Sequence, residues 1–142
     1  MNENGRSKAE AVYHGIREHR LRPEDFSHTE HIRLAWYYLT TWPLEEACER
    51  FDTDFRSYVD AIGANSKYHH TITHGLLRLL DTHLDSEETR TSWEAFRKNA
   101  APAFDNALEV LNRFWSPETL FSDDAREGWQ DPDLKPLPKR DP

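Results

Sequence analysis

Residues 43–63 read PLEEACERFDTDFRSYVDAIG, and their spacing decides the class of fold. Leu44, Ala47, Cys48, Phe51, Phe55, Tyr58, Val59 and Ile62 recur at intervals of three and four, which winds them onto one face of a helix. Pro43 suits the first helical position, where a missing N–H goes unmissed, and Gly63 offers a stop. The interleaved Glu45, Glu46, Glu49, Asp52 and Asp54 read as the solvent-facing side. Upstream, the pattern predicts a helix over 28–41, with Ser27 as N-cap and Glu30 at capping-box spacing. His28, His31, Ile32, Ala35, Trp36 and Leu39 share its broad inner face. Downstream, Ala64-Asn65-Ser66 is a loop before a helix over about 67–84. Leu76, Leu77, Leu80 and Leu84 form its apolar stripe, which His69, His70 and Thr73 continue toward the N-terminus.

Farther out the same period persists. A first helix runs over about 7–20 until Pro23 ends it, Trp93 and Phe96 mark a short helix, and Pro102 opens another carrying Phe104, Ala107, Leu108, Leu111 and Trp115. Ser116-Pro117-Glu118 and Ser122-Asp123-Asp124 start two short helical pieces. No strand alternation, repeat or glycine-rich phosphate loop interrupts the series. The expectation is an all-α, compact bundle of about five main helices, near 7–20, 28–41, 43–62, 67–84 and 102–115. One helical domain spans 1–129, and Pro132, Pro136, Pro138 and Pro142 give 130–142 the character of an extended tail.

Composition narrows the function. Hydrophobic residues are only 37% of the chain, but Phe, Trp and Tyr reach 12%, and bulky rings offset a low aliphatic count when they pack. A net charge of −8 argues against nucleic acid, whose phosphates call for a basic face, and equally against an anionic membrane surface. The single Cys48 excludes an internal disulfide and a paired-cysteine zinc site. No apolar run approaches the roughly 20 residues of a membrane span, and the first residues lack a signal-peptide core. A cytoplasmic protein acting on a small-molecule substrate or ligand is the simplest expectation, with oligomeric state left open.

Eight histidines stand in 142 residues, and five fall into two clusters, His28/His31 and His69/His70/His74. Residues three or four apart share a helix face, so His28 pairs with His31 and His70 with His74. Imidazole is the commonest protein ligand for transition metals and shuttles protons near neutral pH. If the second and fourth helices run parallel, the two clusters meet at one end of the bundle beside Tyr68 and Trp36. The plainer account makes them polar residues satisfied by backbone, water or carboxylates. The pattern is not HExxH, because Glu30 directly precedes His31, and it lacks the matched carboxylates of a di-iron bundle. All-nitrogen ligation suits copper, zinc, nickel or iron. Glu30 serves as a candidate general base, against its other role in a capping box, and Tyr68 is a second candidate catalytic group. His14, His19 and His83 lie on polar stretches, and Cys48 reads as core.

Phe26-x-His28-x-x-His31-x-x-x-Ala35-Trp36-x-x-Leu39, Tyr68-His69-x-Thr71-x-Thr73 and Ser116-Pro117-Glu118-Thr119-Leu120 are the segments on which the chain resembles a family of small, all-helical, uncharacterised bacterial proteins. The resemblance runs from Pro23 to about Pro138. It implies that His28, His31 and His69 form the shared constellation, with His70 as a fourth ligand and His74 peculiar to this chain. Helical facing favours His70 with His74 instead. The expectation follows the resemblance: His28, His31, His69 and His70 around a divalent transition metal, in a metal-dependent enzyme of oxidative or hydrolytic type. Its rivals are a non-catalytic metal- or ligand-binding accessory protein and a pH-responsive interaction module built on histidines.

Overall fold

In the computed structural model, which describes residues 2–101 and 105–139, the chain is all-α, with no strand among the described residues. The helices are α1 (Asn2–Arg17), α2 (His28–Thr41), α3 (Leu44–Ala61), α4 (His70–Asp81), α5 (Glu87–Thr91), α6 (Trp93–Asn99), α7 (Ala107–Leu111), α8 (Pro117–Leu120) and α9 (Asp123–Glu127). Short 3-10 turns at Pro23–Asp25 and Asn65–Lys67 lead into α2 and α4. No helix among the described residues is long and apolar enough to cross a membrane.

Local chemistry sets most boundaries. Ser27, Ser86, Ser92, Ser116 and Ser122 each cap a helix by accepting a backbone N–H, which satisfies donors that the first turn leaves unpaired. Pro43 is the N-cap residue of α3, one position before the helical start assigned to it from sequence. Beyond Ala61 the chain turns through Gly63 at φ +71°, a left-handed conformation that glycine adopts without strain. The first helix begins earlier than its apolar edge suggested and stops at Arg17, where His19 takes φ 55° and donates or accepts a bond with Ser57 Oγ at 2.8 Å. Of the helix expected over 102–115, only Ala107–Leu111 is helical as a described element, and Phe104 lies outside the described residues.

The apolar faces meet in two cores. The larger gathers Ile16, Ile32, Trp36, Tyr38, Phe51, Tyr58, Leu77, Leu80, Trp93 and Phe96 from α1, α2, α3, α4 and α6. The smaller holds Leu79, Val110, Leu111, Phe114, Trp115 and Leu120, with Ile72 and Leu137 packed on it. Helix α4 lies between them, so two of its sides are apolar, and Gly75 lets Trp115 approach to 3.0 Å from where a Cβ would stand. Its third side, His70-His74-Arg78, faces α3. There Arg78 pairs with Glu45, His74 with Asp52 and His70 with Arg56. Numbers rise along one helix as they fall along the other, so α3 and α4 are antiparallel.

Residues 130–139 hold no helix or strand. Trp115 Nε1 donates to Gln130 O at 2.8 Å, Leu134 N–H to Phe114 O at 2.9 Å, and Ser116 Oγ to Asp133 at 2.6 Å, so this stretch is pinned against the second core. Arg140 to Pro142 lie outside the described residues.

Candidate metal centre

Asp52, on the polar flank of α3, stands beside the apolar Phe51/Phe55 stripe and turns toward α4 instead of solvent. Its carboxylate accepts the Tyr68 hydroxyl and His74 Nε2–H, the latter at 3.1 Å, and pairs with Arg56 Nε at 3.2 Å. His70 Nδ1 lies 3.7 Å from the same carboxylate oxygen, and the His70 and His74 rings stack at 4.2 Å, as a four-residue helical spacing requires. One ligand atom from each of Asp52, His70 and His74 lies within 4.8 Å of the other two, so this group can hold a metal ion; no other set of three or more such residues does so among the described residues.

Electrostatics put two of these groups in their ligating forms. Burial pushes the Asp52 carboxyl up, but hydrogen bonds from His74 and Tyr68 and the charge of Arg56 outweigh it and hold it down at about 2. Burial lowers His70 below the ordinary imidazole value, with the neighbouring His74 adding to the effect. A guanidinium nitrogen of Arg56 donates to His70 Nδ1 at 2.9 Å, so that nitrogen carries a lone pair. Burial and the bond to Asp52 raise the Tyr68 hydroxyl, which keeps its proton. The side chains of Asp52, His70 and His74 are 21%, 21% and 12% exposed.

The histidines favoured from sequence divide differently from what was expected. The beginnings of α2 and α4 do reach one end of the bundle, since His31 and Tyr68 line a common cavity. They do not converge on a point. His31 packs among Phe26, Phe51 and Phe55, and Phe55 and Tyr68 stand between it and His70. His28 is exposed and joins no ligand group. His69 is committed elsewhere: it caps α4 by accepting Ile72 N–H at Nδ1, and its Nε2–H donates to Leu120 O at 2.7 Å. With both nitrogens engaged in structure, it has no lone pair left for a metal. Of the four expected ligands only His70 belongs to the group, joined by His74, on which helical facing was the better guide, and by Asp52, which had been assigned to solvent.

The catalytic candidates separate as well. Glu30 forms an ion pair with Arg33, whose buried guanidinium also sits 4.9 Å from the Trp93 ring centroid, so the carboxylate neutralises a buried charge. Tyr68 stands at the group, bonded to Asp52 and 3.2 Å from His70 Nδ1. Trp36, expected near the site, is fully buried and donates its indole N–H to Thr89 O at 2.9 Å. A larger concavity of about 930 Å³ lies under residues 129–139, but none of the three candidate ligands lines it.

One signal for Asp52 was present in the sequence. It stands four residues before Arg56, on the flank of a strong apolar stripe, where the next helix in the chain comes to pack. Compared with known proteins, the chain matches no family model, no curated protein and no solved structure.

Proposed function

We propose that the protein is a metal-dependent enzyme acting on a small molecule, with a divalent transition metal held by Asp52, His70 and His74 and with Tyr68 beside it. The observation that supports this reading is the triad itself: two imidazoles and one carboxylate with their ligand atoms within 4.8 Å. Two histidines and a carboxylate are the donor set of non-haem iron oxygenases and of hydrolytic zinc sites, both of which leave positions open to substrate. When bound there, such an ion supplies Lewis acidity and an activated water, or a redox-active centre if it is iron or copper. Asp52 already exists as a carboxylate at neutral pH, and His70 as a neutral base, so neither must release a proton to become a ligand. Tyr68 holds its proton next to the ligands and donates it to Asp52, which fixes the orientation of that carboxylate.

Arg56 is the obstacle and the test. Its guanidinium bonds both Asp52 and His70, the place a cation would take, and lies 4.4 Å over the Tyr68 ring, with its side chain 45% exposed. A specific alternative follows from the same contacts: a non-catalytic polar clamp in which Arg56, Tyr68 and His74 satisfy Asp52 and tie α3 to α4. Calorimetric titration of the untagged protein with Zn²⁺, Ni²⁺ and Fe²⁺ separates the two. The enzyme reading expects one equivalent bound, tighter in Arg56→Ala and lost in His74→Ala. Absence of stoichiometric binding in both wild type and Arg56→Ala leaves the clamp. Turnover screened with and without metal on uncharged small molecules then tests the activity.

A further inference from the structure

The cavity that separates the two histidine pairs has a chemistry of its own. It measures about 170 Å³ and is walled by Phe26, His31, Phe55, Tyr58, Val59 and Tyr68, with no charged side chain lining it. Both tyrosine hydroxyls are occupied, Tyr58 donating to Leu21 O at 2.8 Å and Tyr68 to Asp52, so the tyrosines offer the cavity apolar ring surface. His31 differs. Its ring stacks on Phe26 at 5.1 Å and tilts against Phe55 at 5.0 Å, and no protein group among the described residues hydrogen-bonds its imidazole. Burial, with the nearby His28, holds it neutral down to about 4, so one ring nitrogen donates and the other accepts.

We infer that this cavity is a binding site for a small uncharged aromatic molecule of phenol size, stacked among the rings and hydrogen-bonded through its hydroxyl to His31. An apolar cavity of roughly 150 Å³ is known to take benzene, so the volume here fits one ring and a substituent. Aromatic walls favour a ring partner in offset or edge-on contact. Four aromatic faces also attract a quaternary ammonium, but that ion makes no hydrogen bond to the imidazole, and no carboxylate lines the cavity to balance its charge. A carboxylate ligand would be desolvated without a cation to meet it. The inference stands without the metal: none of Asp52, His70 and His74 lines the cavity, and Tyr68 stands between it and them.

Titration with phenol, toluene, tetramethylammonium and benzoate in the presence of a chelator, followed by NMR, tests it. Phenol is expected to saturate in the millimolar range, as suits so few atoms, with intermolecular NOEs to Phe55 and Tyr58. His31→Phe should weaken phenol about fivefold and leave toluene unchanged, the size of one hydrogen bond. Ala64→Phe, which puts a ring into the cavity lining, should abolish both. Asp52→Asn, which removes a metal ligand, should still bind phenol, so loss of metal binding and loss of the cavity's function read out separately. No saturable phenol shift, tetramethylammonium binding tighter than phenol, or phenol affinity unmoved by His31→Phe overturns the inference. If Ala64→Phe fails to fold by circular dichroism, His31→Phe and the wild-type NOEs decide.

Discussion

The beginnings of α2 and α4 make a controlled comparison. Each carries a pair of histidines on one helix face near its N-terminus, and both ends reach the same region of the bundle. At α2 the inner member, His31, packs against the rings of Phe26, Phe51 and Phe55, and burial, with the neighbouring His28, lowers its value to about 4. At α4 the pair meets Asp52, whose negative charge opposes the fall at His70 and supplies the third ligand atom. The spacing is nearly the same and the chemistry is opposite. What differs is the flank of α3 each pair faces: Phe51 and Phe55 in one case, Asp52 and Arg56 in the other.

The strongest way to break the contrast is to remove the apolar wall. Phe51→Ala empties a fully buried ring and is expected to cost about 3–5 kcal/mol in denaturant unfolding. In the surviving folded protein, water at the new cavity should raise His31 toward 6.5, visible as a shifted histidine titration in NMR. A His31 value that stays near 4 would show that Phe51 is not what desolvates it.

Acid should then tell the two sites apart. Between pH 6.5 and about 4 the unfolded chain takes up a proton that folded His31 refuses, so stability falls as pH drops through that window and levels off below it. The gap between 6.5 and about 4 is worth about 3 kcal/mol. His69 and His70, also lowered by burial, add to the loss in the same direction. His31→Phe should remove the larger part of the slope, measured as unfolding free energy at pH 7 and pH 4; an unchanged slope would place the acid sensitivity elsewhere.

Asp52→Asn sharpens the other half. It should lower metal affinity about 100-fold, or about 2.7 kcal/mol at the constant for a tenfold change. His28→Ala should leave metal affinity unchanged, as should His69→Ala. A drop in either would return the centre to the set suggested by the sequence motifs.

The smallest expected effect compares the caps. Ser27→Ala removes the side chain that accepts Glu30 N–H at 3.3 Å and should cost about 1 kcal/mol. His69→Ala removes both a cap and the bond to Leu120, so its loss should exceed that of Ser27→Ala. Equal losses would mean that the Leu120 bond contributes nothing.

Local sequence determined the helices with the strongest period. Helix α2 begins and ends where Ser27 and Trp42 place it, and α3 runs between Pro43 and Gly63, because capping and backbone conformation are settled within one turn. The pairing of His70 with His74 was equally legible, being a property of helix geometry. His69 departs from the expected ligand set for a related reason: it stands just before the helix with extended backbone and directs its side chain to the first turn, so it acts as a cap. Glu30 carried a capping signal, and the burial of Arg33 redirected it.

Asp52 marks the boundary of what sequence alone decides. Six acidic residues stand on α3 between its apolar positions, and their residue type treats them alike, yet only Asp52 faces both histidines of α4. Sequence by itself determined that the chain would be helical, which residues of α2 and α3 would line their apolar stripes, and that histidines would pair along α4, because each follows from a 3.6-residue period and local backbone chemistry. Only the tertiary structure decided which polar flank of α3 would meet which face of α4. That choice depends on how two cores hold α4 from opposite sides, a packing of residues distant in the chain that no local period encodes.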